Sequence, residues 1–283
     1  MTVRLLAWNI RTGGRGGRLD ALVTLLRRER PDLLALQELR GFPGRRMRQV
    51  AGALGMTPHL VPSVFGQAVA VLVRPPLRIV GRSGVRVRLH HAAAAVRVPT
   101  TAGQLTVVST HLHPVSPYRR LREARFLAAR HRPGRGPVLL AGDLNALDPG
   151  TDHTRRLAAL SGPYRRRHLA ADGTADTRAI AAFEAAGFVD LWPKAVSYRA
   201  AELGAAEPVS YGAAELGAAG ADAGLTVPTS RGGGHEFSAA GMRLDYLLAS
   251  PSVASRARDM RVLRGAEAEY ASDHYPLAVD LDL

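Results

Sequence analysis

An α/β fold is what this sequence predicts. Short apolar runs such as Val138–Ala141 and Asp32–Leu36 have the length and composition of strands buried on both faces. Between such runs lie stretches with apolar residues at helical spacing, for example Leu19, Leu22, Val23, Leu25 and Leu26. The chain has 283 residues and is 46% hydrophobic, enough for one substantial core, so a single domain over residues 1–283 is expected.

Taken in order, Val3–Trp8 reads as a strand ending at Asn9. The loop Arg11–Arg18 is glycine-rich and basic; it reads either as a solvated linker or as a phosphate-contacting loop beside Asn9. The helix that follows is stopped by Pro31, and the next strand ends in Gln37-Glu38. A helix over 45–54 precedes strands near 59–61, 68–73, 77–87 and 93–98, with His90 and His91 as loop residues and weak metal-site candidates. The strand Leu105–Ser109 ends in Thr110-His111, where an isolated histidine reads more simply as a core residue. A helix over 118–130 is expected to turn Leu121, Ala124, Phe126 and Leu127 inward and Arg119, Arg120, Arg122 and Arg125 mostly outward.

Val138–Gly150 is the most informative stretch. Its strand stops at Gly142-Asp143-Leu144-Asn145, where the glycine is expected to allow a tight turn. An Asp and an Asn there are either an Asx-turn or a costly pair of buried polar groups that bind something. Residues 177–186 read as a helix capped by Gly187, and 188–192 as a strand. Composition shifts over 199–240, where Ala-Ala-Glu-Leu-Gly-Ala-Ala occurs at 200–206 and again at 213–219, so a flexible surface insertion is expected. Residues 241–248 resume a strand with Asp245 in its interior, 259–263 forms another, and Tyr270–Pro276 leads into a closing strand, 277–283.

Composition excludes several classes. There is no cysteine, so disulfides and thiolate metal sites are out. No apolar run has the length of a membrane span, and the first residues are too short in apolar character for a secretory signal; a cytoplasmic, monomeric protein is expected. The formal charge of +14 suggests a polyanionic partner, although Lys194 is the only lysine and an arginine-rich composition also reflects coding bias.

Polar groups recur at strand ends: Asn9, Glu38, His111, Asp143, Asn145, Asp245, Asp273 and His274. One Asx-turn or one core histidine explains one of them, not eight. Oxygen ligands of this kind suit Mg²⁺ or Mn²⁺, and histidines without cysteine suit acid–base work or phosphate contact. A metal, a base and positive charge match hydrolysis of a phosphate ester.

The ordered set Trp8-Asn9, Gln37-Glu38, Thr110-His111-Leu112, Gly142-Asp143-Leu144-Asn145, Arg243-Leu244-Asp245-Tyr246 and Ser272-Asp273-His274-Tyr275-Pro276 resembles the endonuclease/exonuclease/phosphatase superfamily. Each motif alone is weak, but six in order over residues 8–276 are specific. The resemblance implies a four-layer α/β sandwich (α+β in its mixed strand order), two packed mixed β-sheets flanked by helices as in deoxyribonuclease I. It also implies Glu38, Asn9 and Asp273 as the metal shell for Mg²⁺ or Mn²⁺. Asp143 and Asn145 would orient the attacking water and the phosphate. Asp245 would orient His274, and His111 would bind phosphate or protonate the leaving oxygen, the base and acid roles among His274, Asp143 and His111 staying open. Arg11 and Arg243 are the expected substrate contacts. The chain departs from AP endonucleases, which carry a Tyr-x-Pro-Asn-type motif where this sequence has Thr110-His111-Leu112-His113-Pro114.

The leading expectation is a metal-dependent phosphodiesterase or nuclease acting on nucleic acid by in-line attack of water. The alternatives are hydrolysis of a phosphorylated small molecule or lipid head group, without membrane insertion, and a catalytically silent nucleic-acid-binding protein.

Overall fold

The apolar runs assemble into two sheets of six strands in a computed structural model, which describes residues 1–192, 223–233 and 240–283. The first sheet has the order β11 (Ala257–Val262), β12 (Leu277–Asp282), β1 (Thr2–Asn9), β2 (Leu33–Gln37), β4 (Val69–Val73), β3 (Thr57–Val61). The second has the order β5 (Gly81–Val85), β6 (Ala93–Thr100), β7 (Gly103–His111), β8 (Val138–Asp143), β10 (Asp245–Ala249), β9 (Val189–Asp190). Both are mixed: β1 runs parallel to β2 and β7 parallel to β8, while the other neighbours are antiparallel.

Alternation along the strands assigns each side chain to a layer. Leu5, Ala7, Leu33, Ala35 and Val71 face Val96, Val107, Leu139, Ala141 and Leu247 between the sheets. The opposite face of the first sheet, with Leu6, Trp8, Leu34 and Leu36, packs on the helices Arg18–Glu29 and Gly44–Ala53. The outer face of the second sheet, with Val108, Leu140, Tyr246 and Leu248, packs on the helices Pro117–Arg130 and Arg178–Ala185. The expected four-layer sandwich is the observed one. Each fully buried leucine contributes about 1.5–3 kcal/mol.

Local chemistry ends the elements where the sequence says they should end. The first helix closes at Arg30, whose φ of 46° is left-handed and whose N–H reaches the Leu26 carbonyl at 3.1 Å, and Pro31 prevents continuation. Gly187, φ 94°, caps Arg178–Ala185 through a 2.8 Å bond to the Glu184 carbonyl.

Four expectations change. Gly142 makes no turn: β8 runs through it to Asp143, and its φ of 148° lets the chain pass so close to β7 that an added Cβ would lie 2.0 Å from the Thr110 carbonyl oxygen. The strand expected over 77–87 is shorter, because Leu77–Val80 precede β5 without pairing into a ladder. Asp245 is the first residue of β10, not an interior one. Arg120 is buried, its guanidinium donating to the carbonyls of His113 (3.1 Å) and Arg167 (2.6 Å), so the arginine face of that helix is not wholly outward.

The duplicated segment at 200–219 lies outside the described residues. Residues 223–233 are tied down: Thr226 pairs with Met242 along the backbone, and its hydroxyl accepts from the N–H groups of Leu244 (3.0 Å) and Asp245 (3.2 Å). Among the described residues no helix is long and apolar enough to cross a membrane.

Two stability effects follow. Gly142→Ala meets both the left-handed φ and backbone at contact distance, so urea unfolding should show a loss on the order of 3 kcal/mol; a loss under about 0.5 kcal/mol would contradict this. His168 is buried, and burial, with Arg120 and Arg167 nearby, pushes its pKa down to about 3. The unfolded chain takes up that proton near pH 6.5 and the folded chain does not. Stability should therefore fall as pH drops below about 6.5, by up to about 1.4 kcal/mol per pH unit from this group. His168→Gln should flatten that slope between pH 6.5 and 4 in urea titrations; an unchanged slope would remove His168 as a cause.

Candidate active site

Strand direction brings the polar strand ends to one edge of the sandwich. The parallel pairs β1/β2 and β7/β8 end together, in register Asn9↔Gln37 and His111↔Asp143. The antiparallel β10 begins there, Asp245 opposite Asp143, and the residues before β12, which is antiparallel to β1, arrive at the same edge. Asn9, Glu38, His111, Asp143, Asn145, Asp245, Asp273 and His274 are thereby gathered into one site.

Asp143 is its hub. One carboxylate oxygen, Oδ1, accepts from the Asn145 backbone N–H at 2.9 Å. The other, Oδ2, accepts from Asn9 Nδ2 at 3.0 Å and faces His111 Nε2 at 3.3 Å and His274 Nε2 at 3.7 Å. His274 Nδ1 lies 2.8 Å from Asp245 Oδ2, which orients the ring. Asn145, at φ 49°, donates through Nδ2 to the Leu112 carbonyl at 3.2 Å. Glu38 also holds a left-handed φ, 59°, and its carboxylate accepts from Asn9 Nδ2 (3.2 Å), the Thr12 N–H (2.9 Å) and Gln67 Nε2 (2.8 Å). Such strained, fully engaged polar residues concentrate at working sites.

The charges shape one another. Burial alone would raise the Asp143 carboxyl, but the His111 and His274 cations overcome it and hold it well below the usual carboxylate range. Burial alone would lower both histidines; Asp143 lifts His111, and Asp245 with Asp143 lifts His274 well above its ordinary value. Burial pushes Asp245 up against the pull of His274, whose Nδ1 lies 2.8 Å away.

The donor set fits a hard divalent cation. Glu38, Asp273 and Asn9 offer oxygens only, and the Asp273 carboxyl is raised by burial and then by the charge of Glu38, a repulsion that a cation between them would relieve. The buried group Asp143, Asp245 and His274, with ligand atoms within 4.8 Å of one another, could also bind a metal. There, however, His274 Nδ1 and Asp245 Oδ2 already occupy each other.

Of the two expected substrate contacts, Arg11 reaches the site, its Nε 3.5 Å from Asp273. Arg243 does not. It is bound by Asp148 (3.1 Å) and Asp190 (2.6 Å) and lies over the Tyr246 ring at 4.4 Å, a structural cation whose side chain is 12% exposed.

Several supporting residues carry no signal in the sequence. Gln67 donates to Glu38 from just ahead of β4. His91 accepts the Gln67 N–H at 2.9 Å and stacks on His111 at 3.9 Å between ring centroids, so the His90-His91 pair belongs at the site after all, as packing. Ser272 donates to the Asn9 carbonyl (2.6 Å), and Trp8 Nε1 to the His274 carbonyl (2.8 Å), fastening the Asp273-His274 turn onto β1. Only Ser272 and Trp8 were legible, each as part of its motif.

The sequence profile of the Endonuclease/Exonuclease/phosphatase family matches residues 6–274. No curated protein matches the sequence. Among solved structures, truncated TDP2 of Caenorhabditis elegans is similar with a TM-score of 0.64 at 15% identity, covering 99% of this chain and 97% of that one. An endonuclease/exonuclease/phosphatase from Bacteroides vulgatus is similar with a TM-score of 0.66 at 13% identity, covering 100% and 99%. An AP endonuclease from Archaeoglobus fulgidus is similar with a TM-score of 0.62 at 19% identity, covering 99% and 100%. These structural likenesses bear on the fold; the profile spans nearly the whole chain, and six motifs of the sequence converge at one edge of that fold. The chain belongs to the Endonuclease/Exonuclease/phosphatase family.

Proposed function

We propose that the chain is a divalent-cation-dependent phosphoesterase that hydrolyses phosphodiester bonds in nucleic acid. The observation that carries this reading is the Asp143 carboxylate held between two histidines and two amides at the mouth of the sheets. A carboxylate kept charged beside imidazoliums is equipped to place a water and receive its proton while the cations meet a phosphoryl group.

Burial supports one division of the roles that the sequence left open. His274 is 7% exposed and Asn145 8%, whereas His111 is 2% exposed. His274 therefore contacts a phosphoryl oxygen with Nε2–H, held in orientation by Asp245, and Asn145 contacts the same group. His111 acts through Asp143, fixing its Oδ2. Water attacks phosphorus in line, its proton passes to Asp143, and the bond to the leaving oxygen breaks; His274 is the group placed to return a proton to that oxygen. Glu38, Asn9 and Asp273 would hold Mg²⁺ or Mn²⁺, which when bound supplies neutralisation of phosphate charge.

The rim supports a polymeric substrate. Phe65, Tyr118 and Tyr270 are exposed on the segments that lead to Gln67, follow His113 and precede Ser272. Arg119 lies on the second of these segments, Arg11 and Arg15 lie on the stretch that follows Asn9, and the net charge is +14. Aromatic faces interleaved with arginines suit stacked bases and phosphates. The similar TDP2 and AP endonuclease structures carry names of the same kind. Hydrolysis of a phosphorylated small molecule or lipid head group is the alternative; it would leave this rim without a partner.

Plasmid DNA, single-stranded DNA, RNA and p-nitrophenyl phosphate, each with and without Mg²⁺ or Mn²⁺, test the reading. Metal-dependent cleavage of nucleic acid is expected; activity on the monoester alone would transfer the protein to the alternative. Asp143→Asn should lower kcat by about 10²–10⁴-fold with Tm retained, and near-wild-type turnover would refute the hub. Glu38→Gln should raise the half-saturating metal concentration about tenfold or more, and an unaltered metal dependence would take Glu38 out of the metal shell. Asp245→Asn removes the carboxylate that keeps the proton on His274, so the alkaline limb of the kcat/KM profile should move to lower pH; a fixed limb would mean that His274 does not set it.

A further inference from the structure

The proposed chemistry leaves one sizeable recess unused. On the outer face of the second sheet, beside the C-terminal turn of the helix Pro117–Arg130, lies a cavity of about 600 Å³. That volume is in the range of small-ligand sites. Thr106 in its floor precedes His111 by five positions on β7, so the cavity lies about 16 Å along the strand from the catalytic edge.

Its lining is cationic without compensation. Arg97 on β6, Arg130 at the helix end and Arg135 on the turn Pro133–Arg135 line it, with Arg82 of the edge strand β5 at its border, and none of its lining residues is acidic. Among the described residues none of these four makes an ion pair. Elsewhere on the surface Arg4 meets Asp280 at 2.8 Å, Arg28 meets Glu267 at 2.9 Å and Arg258 meets Asp282 at 3.0 Å. The helix C-terminus accounts for a cation at Arg130, but not for Arg97, which arrives from a strand. Three like charges from three elements in one concavity repel one another, and an anion bound among them would remove that repulsion.

The floor is shaped for a guanidinium. Gly81 and Arg97 are partners across β5/β6, and a Cβ on Gly81 would lie 2.5 Å from Arg97 Nε. The absent side chain leaves Arg97 lying along the floor of the cavity. Ser83 and Thr106 add hydroxyl donors, and Phe126, with Arg88 over its ring at 5.6 Å, forms an apolar wall. Burial, and then Arg130, pushes His131 beside them down to about 4, in keeping with a positive local field.

We propose that this recess is a second phosphate-binding site, separate from the catalytic edge, that takes an oligophosphate: the di- or triphosphate of a nucleotide, or its inorganic counterpart. Guanidiniums bind phosphate oxygens in bidentate fashion, and the apolar wall leaves room for a base. This site does not depend on the proposed hydrolytic function.

Titration calorimetry in EDTA, with inorganic pyrophosphate and with ADP as probes, tests it. Wild type and Asp143→Asn should bind alike. Arg97→Ala/Arg130→Ala should weaken binding tenfold or more, Arg135→Ala should weaken it as well, and neither should change turnover of bis-p-nitrophenyl phosphate. Arg45→Ala/Arg48→Ala, which removes the same charge from exposed positions of the helix Gly44–Ala53, should leave binding intact. Tighter binding of ADP would identify a nucleotide ligand, and equal binding an inorganic one. The proposal is overturned if neither probe binds at millimolar concentration, if Asp143→Asn abolishes binding while the recess variants keep it, or if the Arg45/Arg48 control weakens it as much as they do.

Discussion

The Asn9 carboxamide spans the gap between the two sheets. It projects from the last residue of β1 and donates both to Asp143 of β8, at 3.0 Å, and to Glu38 beyond β2, at 3.2 Å. Just below it, Gln37 Nε2 donates to Ser109 Oγ at 2.9 Å, and Ser109 donates in turn to the Leu36 carbonyl at 3.1 Å. Two sheets held only by apolar side chains could slide over one another at little cost. Buried polar bridges do not allow that, because each broken one leaves a desolvated donor or acceptor behind, at about 1–3 kcal/mol. The relative position of the sheets, and with it the distance between the Glu38 and His274 sides of the site, depends on these contacts.

A second constraint is the density of buried charge. Arg120 is buried and the Arg243 side chain is mostly covered, and the molecule handles them differently. Arg243 is neutralised by Asp148 and Asp190, and those charges, offsetting burial, raise its pKa. Arg120 has backbone carbonyls as its direct partners, and burial lowers it to about 10, which still leaves it charged at neutral pH. Arg243 ties Asp148 to Asp190 at the end of β9, and Arg120 ties the His113 carbonyl to that of Arg167, at the close of a short helix. An ion pair of this kind is weak evidence for stability but strong evidence for a fixed geometry, since removing one partner strands the other.

The histidines divide in the same way. Carboxylates within 4 Å raise the pKa of His274 and His111, whereas burial lowers that of His168. The same residue type is thus pushed toward the cation at the site and toward the neutral form elsewhere, and the neighbouring charges decide which.

The sequence by itself determined the elements and the membership of the site. Apolar alternation and helical spacing are local properties, and stops such as Pro31 and Gly187 act within a few residues, so most strands and helices were legible. Eight site residues could be named because each sits at the end of a strand, and ordered motifs told which ends belong together. Only the tertiary structure decided what those residues touch. Arg243 read as a substrate contact because Asp148 and Asp190 are 95 and 53 positions away in sequence, and nothing local announces their pairing. Gly142 read as a turn because its true constraint, the Thr110 carbonyl, lies on another strand. Gln67, His91 and Thr226 lay outside every motif, since a hydrogen bond or a stacked ring across the fold leaves no trace in spacing. The arginines of the recess come from separate elements, so their convergence exists only once the sheet has formed.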